Sequence, residues 1–244
     1  MKALLSTTAA AALLLGATGA AHATLELSSV INGITFFCFD NTACDTDPTP
    51  GVLQVGNQNF GGVTVAGSIQ EVSTAGGQLS INTSSLTVTN NTASTANIKV
   101  VVSATDFPGP ATNFDASASA TFQADVGGTL SVAYYDDPAN RLGDINSVFG
   151  DLLATGSKTV TANPDSFSQD VTGVLVNPDT GAFSMSLVAA GDLISGGEIV
   201  NRGQALIKTN AVPEPASLGI LGAGLFGFGL IRRRRSRKGG LANA

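Results

Sequence analysis

The side chains able to do chemistry are few. The chain has one histidine, His22, and no tryptophan. A body that begins after His22 has no Ser–His–Asp or Cys–His machinery and no imidazole ligand for zinc, copper or non-haem iron. Lys99, Lys158 and Lys208 stand in no motif that pairs a lysine with a nucleophilic serine. Carboxylates remain. A glycosidase needs two of them facing one sugar, about 5 to 9.5 Å apart. The stretch from Thr24 to Ala211 holds 17 acids, so pairs exist, but linear spacing does not say which converge. Without tryptophan, only Tyr134, Tyr135 and the phenylalanines could stack on a sugar ring. The expectation is a protein that is not an enzyme and needs no cofactor.

Two acidic loops carry oxygen ligands of the kind that suit Ca²⁺. One holds Asp40 and Asn41 with Asp45 and Asp47; the other holds Asp136 and Asp137 with Asn140 and Asp144 close behind. Neither has the glycine and terminal glutamate of an EF-hand loop. Turns closed by Asp and Asn side chains explain both equally simply, so Asp45, Asp47, Asp136 and Asp137 are weak calcium candidates and no metal is expected. Cys38 and Cys44 are the only cysteines. They lack the Cys-x-x-Cys spacing of a redox or zinc pair. In an exported chain they read as a small-loop disulfide, which adds about 2 kcal/mol on the chain-entropy account.

Both ends read as addresses. Lys2, the apolar run from Ala9 to Ala20 and the small-x-small site Ala21-His22-Ala23 form a secretory signal peptide, residues 1–23, with Ala21 and Ala23 flanking the signal-peptidase cut. At the other end Val212-Pro213-Glu214-Pro215 precedes 16 uncharged residues, Ala216 to Ile231, and then a basic cluster from Arg232 to Lys238. The prolines break any preceding strand. The apolar run predicts a helix about 24 Å long, slightly short for a bilayer core of about 30 Å. The basic cluster would stay cytoplasmic and the body would face the other side.

This order of parts resembles the PEP-CTERM sorting signal of exported proteins in Gram-negative bacteria that make extracellular polysaccharide. Val212, Pro213, Glu214 and Pro215 match its motif in order, and the three-part layout spans 212–238. The resemblance implies recognition by an exosortase, a membrane-embedded processing enzyme that cuts near the motif. Exopolysaccharide is then the candidate matrix partner. The resemblance says nothing of what the body does.

Between the signals lie 188 residues, 24–211, with five bases and a net charge of −12. Such a body is repelled by anionic surfaces, and no nucleic acid is expected as a partner. Strand signals recur throughout: Leu25 to Asn32, Ile34 to Phe39, Gly61 to Gln70, Gln78 to Thr89, Asn97 to Ala104, Ala116 to Gln123, Thr129 to Tyr135, Gly181 to Ala189 and Glu198 to Thr209. Gln78–Thr89 and Asn97–Ala104 read as one hairpin, Asn177–Thr180 as a turn, and Asp144–Leu153 as a short helix. No fixed repeat points to a solenoid. The expected fold is an all-β antiparallel sandwich, jelly-roll or Greek-key-like, with an N-terminal signal helix and a C-terminal transmembrane helix. The expected role is structural or adhesive at the surface or in the matrix. A calcium- or carbohydrate-binding module is the alternative.

Overall fold

The computed structural model describes residues 24–73, 79–83, 86–109, 111–179, 181–200 and 206–209. The signal peptide, the sorting motif, the apolar run and the basic cluster lie outside them, as do the helices expected at both ends.

Fourteen strands are present among the described residues, and no helix. β1 (Leu25–Ile31) and β2 (Ile34–Phe39) form a hairpin closed by Asn32 and Gly33, both at positive φ (50° and 80°). An Asn-Gly pair is suited to the two-residue turn whose twist matches the flanking strands. β3 (Val52–Phe60) and β4 (Val63–Ser73) form a second hairpin. Then come β5 (Leu79–Thr83), β6 (Thr87–Asn90), β7 (Ala96–Phe107), β8 (Ala111–Gln123), β9 (Thr129–Asp137), β10 (Asp151–Thr159), β11 (Asp165–Asp179), β12 (Phe183–Leu193), β13 (Glu198–Val200) and β14 (Leu206–Thr209).

The strands form two antiparallel sheets. The first has the order β10-β9-β12-β7-β1-β2; the second runs β11-β8-β13-β6-β4-β5-β14, with β3 on β4 and β14 also on β8. The second sheet is narrower than its strand count. β5 and β6 meet opposite ends of β4, and β13 and β14 meet opposite ends of β8. Two rows of that sheet are thus interrupted strands. The chain changes sheet at β2–β3, β6–β7, β7–β8, β8–β9, β10–β11, β11–β12 and β12–β13.

Period-two alternation places one side of each strand in the shared core. Leu25, Leu27 and Ile31 of β1, Ile98, Val100 and Val102 of β7, and Leu130, Val132 and Tyr134 of β9 point inward from the first sheet. Phe114, Ala116, Ala118, Ala120 and Phe122 of β8 meet them from the second. Phe183 joins the layers: its ring lies 5.7 Å from Phe107 in its own sheet and 6.0 Å, edge-on, from Phe114 across the core. Phe36 and Phe60 do the same at the far edge, 5.7 Å apart. Each such pair adds about 0.5 to 1.5 kcal/mol beyond its burial.

The all-β antiparallel sandwich is therefore as expected, but three local readings are corrected. Gln78–Thr89 and Asn97–Ala104 do not form a hairpin. β7 lies in the first sheet between β1 and β12, while β5 and β6 lie in the second. The aliphatic alternation of β7 suits a central strand, and the polar segment 91–95 is an arch between sheets. Asp144–Leu153 is not a helix. Asp144 Oδ1 accepts hydrogen bonds from the backbone N–H groups of Asn146 and Ser147, which closes a turn instead, and β10 begins at Asp151. Asn177–Asp179 is not a turn either, since β11 continues through it and Asp179 pairs with Ala111.

Candidate functional site

Cys38 and Cys44 are joined by a disulfide, with Cα atoms 5.7 Å apart. Cys38 is buried on β2, so the bridge pins the following loop to the core. That loop is organised by its acids. Asp45 Oδ1 accepts from the N–H groups of Asp47 (3.0 Å) and Gln54 (2.9 Å), and Oδ2 accepts from Asn41 N–H (3.0 Å). Burial raises the Asp45 pKa, but these backbone hydrogen bonds outweigh it and hold it below the ordinary value. Asp47 accepts from Thr49 N–H at 2.9 Å and Asp40 from Gly51 N–H at 2.8 Å.

The second acidic pair is divided between faces. Asp136 and Asp137 are consecutive on β9, so their side chains point to opposite sides of the sheet. Both are buried. Asp137 faces outward and receives Arg141 through Nε (2.7 Å) and Nη2 (3.1 Å), plus the N–H groups of Ala139 and Arg141. Burial raises its pKa, yet the Arg141 guanidinium and the two N–H donors hold it low. Among the described residues no three His, Cys, Asp or Glu side chains are grouped to hold a metal ion.

Arg141 opens the most elaborate feature of the molecule, a strap formed by residues 138–150 between β9 and β10. It lies on the outer face of the first sheet. Asn140 and Asp106 bond reciprocally at its root, Asp106 N–H to Asn140 Oδ1 and Asn140 Nδ2 to Asp106 Oδ1, both 2.8 Å. Arg141 stacks 4.2 Å above the Phe149 ring, and its carbonyl accepts from Ser184 Oγ at 2.6 Å. Gly143 N–H donates to Ser103 Oγ at 3.0 Å, and Ser103 Oγ shares a 2.9 Å hydrogen bond with Ser186 Oγ. Lys99 Nζ donates to the Ile145 carbonyl at 2.8 Å. Gly150 ends the strap at φ 90°, where an added Cβ would collide with the Asp136 carbonyl.

Beneath the strap both faces of β7 are buried, Val101 and Ser103 outward as fully as Val100 and Val102 inward. Glu26 of β1, cross-strand partner of Ser103, is 4 % exposed. Its Oε1 and the Oγ of Ser28 are buried without a hydrogen-bond partner. Desolvation, with a smaller push from the Asp144 charge, raises its pKa to about 7. Sequence reasoning passed over Glu26. The available signal was a lone acid in the otherwise apolar and small-residue run Leu25–Ile31.

The strap makes Arg141→Ala informative. The substitution leaves the Asp137 carboxylate buried without its cation, and we expect a loss of stability at pH 7, read as a lower urea midpoint. Because the Asp137 pKa is depressed on folding, this stabilisation is present above its unfolded pKa and disappears as pH falls through the folded one. The wild-type and variant curves should converge in acid.

Past the strap, the outer face over β9, β10 and β12 carries an open groove of about 540 Å³, lined by Ser131, Ala133, Thr155, Ser157 and Val188. Hydroxyl and small aliphatic groups line it, with no charged side chain.

The last described strand, β14, ends at Thr209, docked between β5 and β8. Thr209 is also the last of the described residues, three positions before Val212. Residues 211–235 match the PEP-CTERM protein-sorting motif. The chain is a PEP-CTERM domain-containing protein, and the motif implies export and processing by an exosortase in a Gram-negative bacterium. No curated protein sequence matches the chain. Similar solved structures include TmCBM61 in complex with beta-1,4-galactotriose, at 11 % identity over 61 % of this chain and 89 % of that one, with TM-score 0.31. Another is the family 11 carbohydrate-binding module of cellulosomal cellulase Lic26A-Cel5E of Clostridium thermocellum, at 14 % identity over 71 % and 95 %, with TM-score 0.28. Likenesses this distant carry no argument about ligands.

Proposed function

We propose that the chain is a non-enzymatic surface or extracellular-matrix protein, delivered by an exosortase that cuts near Val212-Pro213-Glu214-Pro215. The observation that carries this reading is the sorting motif at 211–235, placed directly after a strand that closes the sandwich. The boundaries are 1–23 for the signal peptide, removed between Ala23 and Thr24, 24–211 for the body, and 212–238 for the sorting signal. The helix over 216–231 holds the precursor in the membrane until processing. The body fits a passive role: its loop acids Asp40, Asp45 and Asp47 order backbone turns. The role we assign to the body is a structural or adhesive place in an exopolysaccharide matrix, with the sorting route as its support.

Intact mass spectrometry of the protein recovered from the host surface and medium tests the reading. A mass starting at Thr24 and ending near the motif supports it. A mass running to Ala244 in the membrane fraction overturns it.

The groove over β9, β10 and β12 favours a second reading, a module that binds a neutral glycan. Isothermal titration with neutral oligosaccharides should then give binding that Ser157→Arg abolishes. Equal binding by the variant refutes that placement.

A further inference from the structure

We propose that Glu26 and Asp144 form a proton-operated latch that holds the strap of residues 138–150 on the first sheet when Glu26 is neutral and loosens it when Glu26 ionises. Geometry carries this. Glu26 Oε1 is buried without a partner, next on its strand face to the equally unpartnered Ser28 Oγ. A carboxylate cannot be kept in such a place without a compensating donor or cation, whereas a neutral carboxyl can. The side chains meeting Glu26 across the ladder are Ser103 of β7 and Phe39 of β2, and neither carries charge. The group that acts on it from the strap is Asp144, of like charge.

The remaining charged groups on the packed elements are committed elsewhere. Lys99 of β7 is tied to the Ile145 carbonyl, and Arg141 to Asp137. Asp106, near the end of β7, holds Asn140, and Asp40, past β2, holds Gly51 N–H. Tyr135 of β9 lies three strands away across the same row, opposite Ser186. In a chain cut after Ala23 the Thr24 α-ammonium would join this set, two residues before Glu26, and would move the midpoint down.

Ionisation would therefore place two negative charges against each other in a poorly solvated space. The strap can relieve this by lifting, because its contacts with the sheet near Glu26 are single hydrogen bonds, Gly143 N–H to Ser103 Oγ and Lys99 Nζ to the Ile145 carbonyl. The direction follows from linkage. The folded pKa of about 7 lies above the ordinary 4.5. Between those values the folded form holds a proton that the unfolded form has released, so stability falls as pH rises through this window and is level above it.

Amide hydrogen exchange of the full chain, corrected for the intrinsic pH dependence of exchange, tests the latch. Protection at Gly143 should fall about ten- to a hundredfold between pH 5.5 and 8.5, while that of the central β7 amides falls less. Glu26→Gln should make strap protection independent of pH. Asp144→Asn should shift the midpoint to lower pH. Flat protection in the wild type, or an unchanged pH dependence in Glu26→Gln, overturns the latch. Should Glu26→Gln fail to fold, NMR titration of the wild-type Glu26 carboxyl decides: an apparent pKa near 7 supports the latch, and one near 4.5 overturns it.

Discussion

Asn90→Ala is expected to destabilise the sandwich by about 3 to 5 kcal/mol, one of the largest effects of a single polar substitution in this chain. Asn90 is fully buried at the end of β6. Its Nδ2 donates to the carbonyls of Ser94 (2.8 Å), Leu193 (2.9 Å) and Ile194 (3.0 Å). Its Oδ1 accepts from Thr92 N–H (3.0 Å) and Thr92 Oγ1 (2.7 Å). One amide therefore satisfies the arch that carries the chain from β6 to β7 and the end of β12, across both sheets. Truncation leaves these buried groups unpaired, and each such loss costs about 1 to 3 kcal/mol without strict additivity. Asn90→Asp separates hydrogen bonding from packing. It keeps the shape but turns an anion toward three carbonyl oxygens, so at pH 7 it should be worse than alanine and should recover part of the loss in acid. Urea unfolding at both pH values reads this directly. A loss below about 1 kcal/mol for Asn90→Ala would remove Asn90 from its place as the joint between the sheets.

Replacing Pro213, Glu214 and Pro215 by alanine is expected to abolish processing in the native host while leaving the melting temperature of the body unchanged. The two outcomes separate because the last described strand ends at Thr209, before the motif. None of the three residues therefore belongs to a described strand of the sandwich, yet all fall within the matched sorting motif. Prolines disfavour helix interiors and ladder hydrogen bonding wherever they stand. The triple variant should accumulate in the membrane fraction with a mass running to Ala244. Normal release of the variant would show that delivery does not depend on these residues, and the proposed function would lose its support.

The features legible without a fold are local or compositional. The sorting motif is contiguous, so its chemistry is legible without a fold. The Cys38–Cys44 bridge follows from two cysteines six residues apart in an exported chain. Strands such as Leu25–Ile31, Ile34–Phe39 and Thr129–Asp137 show in side-chain type and in Asn32-Gly33 turn chemistry, because β-branched and aromatic residues suit a pleated, half-buried surface. β3, β10 and β11 escaped notice. Their runs mix Gly, Ser, Asn, Gln and Asp with apolar residues, so few bulky side chains mark the buried face of each.

Strand partnership is set by long-range packing. Asn97–Ala104 reads as the second arm of a hairpin, yet it pairs with β1 and β12, some 70 to 90 residues away. Burial of both faces of β7 by core and strap favours that central position over a local turn. The same holds for side chains. Asp136 and Asp137 look like a pair and point to opposite faces. Glu26 looks like an ordinary surface acid and is buried, because a strap more than a hundred residues further along the chain closes over it. Periodicity records which side of a strand is apolar, but whether a polar face meets water depends on what else in the chain covers it, and that information resides in no single segment.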